Sequence, residues 1–317
     1  MYRLIPVTLF AIAAFNFLIQ ASASGDDALQ NMRVAITIDD LPAHGDLLPG
    51  TTRLQIAQDI LHALKKNGLT HVYAFANGRD AVTNSDALRA LNEWLQAGFP
   101  VGNHTFSHYD LDQVGAEIYL NDIQRMHTLL TELEPFSLRQ EDFLFRYPFL
   151  HEGRTLEQRQ AIRKFLFANK YRIAEVTVDW ADWAWGDAYT RCVQKHDDKS
   201  ITWLKENVIP AAELQLNNAR RAAKTLFNRD IAHVVVMHDS TFNAVVLDSI
   251  LRDMRRRGIK IISLRRALED PVYAIDSGVT PNDGATFLTR IAQARSIKIE
   301  LGRNTAYLPS SLASVCK

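Results

Sequence analysis

Five short polar segments, each following an apolar stretch, hold the residue types that hydrolytic chemistry needs. They are Asp39 and Asp40; His104, Thr105, Phe106, Ser107 and His108; Arg146, Tyr147 and Pro148; Asp179 to Trp183; and His238 with Asp239. Successive side chains of a strand point to opposite faces, so two adjacent carboxylates at the end of one can take different tasks, one binding a cation and the other handling protons. Two histidines and one carboxylate are a known protein ligand set for catalytic zinc, with the fourth position open to water or substrate. Asp40, His104 and His108 form one such set. Taken singly each segment is a weak signal, and their joint occurrence is the strong one.

The elements around these segments bring them together. Seven strands are expected, at Val34–Ile38, His71–Phe75, Val101–Asn103, Phe143–Arg146, Ile173–Val178, His233–Met237 and Lys260–Ile262. Amphipathic helices alternate with them, carrying Ile56, Ile60, Leu61 and Leu64 on one face, Leu88, Leu91 and Leu95 on another, and Leu247, Ile250, Leu251 and Met254 on a third, with Ser85 as a helix cap. Strict alternation predicts an α/β protein built of βα units, as an open doubly wound sheet or a closed barrel, and both place chemistry beyond the carboxyl ends of the strands. The stretch from Trp185 to Asn228 reads as one or two helices decorating the rim. "TFLTRIAQARSIKIEL" near the C-terminus reads as a helix followed by a strand, after a turn-rich segment.

Read together, the five segments resemble the motifs of the polysaccharide deacetylases of carbohydrate esterase family four, the NodB-homology group, over about Arg33 to Ile262. The resemblance implies a distorted (β/α)7 TIM-like barrel. It implies Asp39 as catalytic base, Asp40, His104 and His108 as metal ligands, Arg146 as the group that holds the base, and His238 as general acid. Asp179, with Asp182 second, is the carboxylate expected to keep His238 protonated. Tyr147, Pro148, Trp183 and Val236 are expected at the substrate, with a backbone N–H near Tyr147 at the oxyanion and Trp183 as a stacking face while Trp180 and Trp185 are buried. Two positions depart from the family pattern: Ile38 stands where Phe is usual, and Val236 where Leu often lines the acetyl pocket. His151 and Glu152, shortly after Pro148, are candidates to touch substrate; His44, shortly after Asp40, is placed to face the site but left out of the catalytic set, His71 and His233 read as structural, and Asp239 reads as a supporting group. The implied cofactor is a divalent metal, Zn²⁺ first, with Co²⁺, Mn²⁺, Fe²⁺ and Ni²⁺ compatible with the same ligands.

Composition narrows the partner. The 317 residues carry 36 Lys and Arg against 36 Asp and Glu, with 47% hydrophobic and 23% charged residues. That is ordinary globular composition, and zero net charge gives no field to attract nucleic acid or an anionic membrane. An acetylated polysaccharide or oligosaccharide is the expected partner. Residues 1–23 read as a signal peptide: Arg3, an apolar run from Leu4 to Ile19, then Ala21, Ser22 and Ala23 before the cleavage point. The run is too short for a stable membrane span, so an exported protein, periplasmic or secreted, is expected. Residues 24–275 are then the deacetylase domain and 276–317 a C-terminal tail packing on the barrel. Cys192 and Cys316 allow one bridge or two free thiols. The leading reading is a metal-dependent hydrolase removing acetyl from an N-acetylglucosamine-type glycan such as peptidoglycan or chitin-like oligomers. The alternatives are an O-acetyl xylan esterase, a small-amide C–N hydrolase on the same scaffold, and a catalytically silent glycan-binding protein.

Overall fold

A computed structural model describes residues 28–133, 143–281 and 284–317; the expected signal peptide lies outside them. Seven strands form one sheet: β1 (Arg33–Leu41), β2 (Tyr73–Ala76), β3 (Val101–Asn103), β4 (Leu144–Phe145), β5 (Arg172–Ile173), β6 (Ala232–His238) and β7 (Lys260–Ile261). Every pairing is parallel, in the order β5-β4-β3-β2-β1-β6, with β7 against the start of β1. After Arg33, β1 is buried along its length, and residues 232–237 of β6 are buried too. Such near-continuous apolar runs are what a parallel sheet covered on both faces demands.

The sheet curls until its edges approach. Ala174 donates its N–H to Phe145, on the β4 side, whereas Thr177 and Val178 both donate to Val234 of β6. Val178 forms a parallel bridge with Val235. The strand expected at Ile173–Val178 is therefore divided: its first part serves one edge of the sheet and its last part the other. This is the curled parallel sheet of the expected distorted barrel.

The helices behave as their apolar spacing dictates. Thr52 caps the helix Arg53–Lys66, which buries Ile56, Ile60, Leu61 and Leu64. The helix Ser85–Gln96 is capped one residue earlier than expected, by Asn84, whose side chain accepts from the N–H groups of Asp86 and Ala87. Residues 185–228 hold most of one helix, Asp182–Gln194, and all of a second, Asp198–Phe227. The second is not a rim ornament, because Leu204, Val208, Ala211 and Ala212 sit in the main core.

The C-terminal segment is fastened to this body. Its helix Phe287–Ala294 buries Phe287, Leu288, Arg290, Ile291 and Ala292. The strand expected after it does not form; Ile297 and Leu301 are exposed, and the approach of the two sheet edges leaves little open edge for an eighth strand to join. Cys316 is disulfide-bonded to Cys192 in the helix Asp182–Gln194. Among the described residues, no helix is long and apolar enough to cross a membrane.

Candidate active site

Parallel strands end on one rim, and the register of β1 against β6 sets Asp39 beside His238. Arg146 follows β4 and is 1% exposed. One of its terminal nitrogens reaches both oxygens of Asp39, at 3.0 and 2.9 Å. Its other nitrogens donate to Thr37 Oγ1 at 3.1 Å and to the carbonyl of Ala174 at 2.6 Å, and the guanidinium lies 4.6 Å from the centre of the Phe75 ring. A planar guanidinium fixed on this many sides holds a carboxylate in one orientation.

The next residue is turned elsewhere. Asp40 has φ 64°, in the left-handed region, so the chain swings at the strand end and its carboxylate leaves that of Asp39. Asp40 Oδ1 lies 3.2 Å from His104 Nε2 and 3.1 Å from His108 Nε2. Thr105 and His108 are also left-handed, and Asn77 donates to the carbonyls of His104 and Thr105, which pins the loop after β3. His104 Nδ1 lies 2.8 Å from the carbonyl of Arg146, which can only accept, so this nitrogen carries the proton and Nε2 presents a lone pair. Asp40 Oδ1 is buried and makes no hydrogen bond despite its two histidine neighbours. Three donor atoms thus converge with no hydrogen bond shared at the carboxylate oxygen, and the chemistry of the set fits a divalent cation. Burial opposes the charge of Asp40, but His108, His104 and His44 outweigh it and hold the carboxyl well below its ordinary range.

His238 closes the other side. Its Nδ1 lies 2.8 Å from Asp182 Oδ1, and its backbone N–H donates to Asp182 Oδ2 at 2.7 Å. Burial works against a charged imidazole, yet Asp182, aided by Asp40 and Asp39, pushes the His238 pKa up to about 10. The carboxylate behind His238 is therefore Asp182, not Asp179. Asp179 lines the pocket and accepts from the N–H of Ala181, and burial raises its pKa. Ala181 is left-handed, and that turn brings the first residue of the following helix, Asp182, under the imidazole.

These groups surround a pocket of about 400 Å³. Tyr147, Trp183 and Val236 line it as expected; Trp183 is 38% exposed, while Trp180 and Trp185 are buried. Pro148 is buried at the start of a short turn and does not line the pocket. His233 is buried and bonded to Asp230 and Thr177, whereas His71 is exposed just before β2. His44 and His151 line it as well, whereas the buried Glu152 does not; Phe149, Leu150 and Gly284 are the lining residues that sequence reasoning missed. The place of His44, four residues beyond Asp40, was the signal that it faces the site; its Nδ1 is 2.5 Å from Asp40 Oδ2. Nothing local in the sequence marks Gly284.

With the geometry in hand, residues 26–165 match the family model described as polysaccharide deacetylase. The resemblance read from the motifs is thus matched over a little under half of the chain, a stretch that holds Asp39, Asp40, His104, His108 and Arg146. No curated protein matches the sequence. Among solved structures, the chain is similar to a mutant, with restored enzymatic activity, of a carbohydrate esterase family 4 pseudoenzyme from Bacillus anthracis. That match has 20% identity, covers 76% of this chain and 68% of that one, and has a TM-score of 0.50. It is also similar to a family 4 carbohydrate esterase from Streptomyces lividans in complex with acetate, with 21% identity, coverage of 75% and 96%, and a TM-score of 0.47. A peptidoglycan deacetylase from Bacillus subtilis matches at 20% identity, coverage of 77% and 92%, and a TM-score of 0.47. At such identities the likeness is one of fold.

Proposed function

We propose that the protein removes acetyl groups from an acetylated glycan at or beyond the cell surface, N-acetylglucosamine-type chains before acetylated xylan, in a reaction that requires a divalent ion, Zn²⁺ first. The observation that carries this reading is the division of labour between two neighbouring carboxylates. Asp39 is gripped by Arg146, while Asp40 faces His104 and His108.

An ion held by Asp40, His104 and His108 would supply Lewis acidity at the acetyl carbonyl and acidify the attacking water. Asp39, held in one orientation by Arg146, takes the proton that this water loses as it attacks. His238, kept protonated by Asp182, gives a proton to the departing amine or alcohol. The half-exposed faces of Phe149 and Trp183 flank the pocket and offer stacking surfaces for a sugar ring. Export is supported by the charged, apolar and small-residue order of residues 1–23 and by the Cys192–Cys316 bridge, a bond that oxidising compartments favour.

The test is acetate release from N-acetylglucosamine oligomers, peptidoglycan and acetylated xylan by chelator-treated protein, Zn²⁺-reloaded protein and an Asp39→Asn variant. Reloading restores release, and Asp39→Asn lowers it by about 10²–10⁴-fold, the usual worth of a positioned base, while the variant still takes up metal. Release that survives both chelation and the substitution would sink the reading, and the substrate that yields acetate names the linkage.

A further inference from the structure

Asp40 is flanked by histidines on both of its oxygens. Oδ1 faces His104 and His108; Oδ2 lies 2.5 Å from His44 Nδ1. The His44 ring stands 4.8 Å, centre to centre, from the ring of His238. One ligand atom each from Asp40, His44 and His238 falls within 4.8 Å of the other two, the same tolerance that the Asp40, His104 and His108 set satisfies. His238 is also built as metal-binding histidines commonly are: Nδ1 is bonded to a buried carboxylate, Asp182, which leaves Nε2 for the pocket. His104 uses the same device with a backbone carbonyl.

The surrounding charge favours cations. Asp39, Asp40, Asp179, Asp182 and Asp239 are buried or half-buried around the pocket floor. Among the described residues, the one guanidinium or ammonium bonded to any of them is that of Arg146. Asp239 is fully buried, and neither of its carboxylate oxygens accepts a hydrogen bond.

We propose that the protein has a second divalent-ion site, made by Asp40, His44 and His238, and that filling it inhibits the deacetylase. Asp40 then bridges two ions, one on each oxygen, an arrangement that two-metal hydrolytic sites use at separations of about 3.5–4 Å. Binding of the second ion takes the Nε2 lone pair of His238 and releases its proton to solvent, so the imidazole has no proton to give to the leaving group. That proton must be displaced, so the second site is the weaker of the two. The inhibitory part rests on the proposed function, which makes His238 the acid; the existence of the site does not.

The experiment is a Zn²⁺ titration of the chelator-treated full chain, with bound metal measured by equilibrium dialysis and elemental analysis, and acetate release measured on the same samples. The wild type is expected to take up two equivalents, the first raising activity and the second lowering it at least tenfold, a modest part of what loss of a general acid costs. His44→Gln and, separately, His238→Gln are expected to take up one equivalent, and the activity of His44→Gln should not fall beyond it. A wild type that saturates at one equivalent overturns the proposal, as does a His44→Gln protein that still binds two. If no acetylated substrate is hydrolysed at one equivalent, the deacetylase reading fails on its own, and the stoichiometry of the three proteins still decides the second site.

Discussion

At the scale of single residues, the site depends on which partner each ionisable group is given. His238 shows this most directly. Asp182 accepts from its backbone N–H and bonds its Nδ1, and Asn243 completes the shell of the carboxylate at 2.5 Å. An Asp182→Asn variant keeps the shape but loses the anion that stabilises the protonated imidazole. We expect kcat to fall by about 10²-fold or more, with uptake of the first equivalent of metal unchanged; an unaltered kcat would mean that His238 is not the acid. The motif residues themselves were legible because each ends a strand, and parallel strands bring their ends to one rim. Which acid of Asp179-x-x-Asp182 serves His238 was not legible, because the left-handed turn at Ala181 is what carries Asp182 under the imidazole. The bond of His44 to Asp40 was hidden for a similar reason. Its approach to Asp40 depends on the positive φ of Asp40 and Ala43, which no side-chain pattern announces.

At the scale of elements, the wall of the pocket is made where two distant segments touch. Phe149 and Leu150, in the turn after β4, both have left-handed φ angles, 57° and 56°. Gly284, more than a hundred residues later, lies against this turn so closely that a Cβ there would collide with the Phe149 carbonyl and crowd the His151 ring at 3.1 Å. Gly284→Ala must therefore displace backbone, not a flexible side-chain end. The expected outcome is a loss of about 1–3 kcal/mol in stability, typical of overpacking, and a several-fold rise in KM with kcat little changed, since the base, ligands and acid stand on other elements. Denaturant unfolding and steady-state kinetics check it, and an unchanged KM would remove Gly284 from the substrate wall. Six strands and the three helical faces were readable because they rest on periodicity, whereas the division of Ile173–Val178 between two sheet edges is a property of the closing sheet. The absent C-terminal strand has the same origin: its sequence suits a strand, but the curled sheet offers it little edge.

At the scale of the whole molecule, the contacts that join the C-terminal segment to the body include one covalent bond and one buried ionic cluster, and these two should respond differently to conditions. The disulfide closes a long loop, with its cysteines 124 residues apart. Cys316→Ser should lower stability by about 2–4 kcal/mol, the usual range for such a bond, by nearly the same amount at every pH between 5 and 7.5. The cluster is centred on Arg290, 3% exposed, whose guanidinium pairs with Glu175 and with Glu152 at 3.0 Å. Glu152 is also bound by Arg159 at 2.8 Å and Arg163 at 3.2 Å, so the segment grips the loop that carries Phe149 and His151. Burial already raises the pKa of Glu175, with Arg290 the strongest force against that rise and Glu152 adding to it. Arg290→Met removes that restraint and leaves Glu175 beside Glu152. Removing one partner of a buried pair costs about 3–5 kcal/mol, and here the cost depends on pH with a definite sign. A carboxyl whose pKa is raised by folding binds more protons in the native state than in the unfolded one, so stability declines as pH rises from the ordinary glutamate range through the raised value. The deficit of Arg290→Met against the wild type should therefore be smaller at pH 5 and larger at pH 7.5, opposite to the flat deficit of Cys316→Ser. Urea unfolding of both variants at the two pH values separates the cases. A pH-independent deficit in Arg290→Met would mean that Arg290 holds the segment by packing alone and that Glu175 loses its proton without strain.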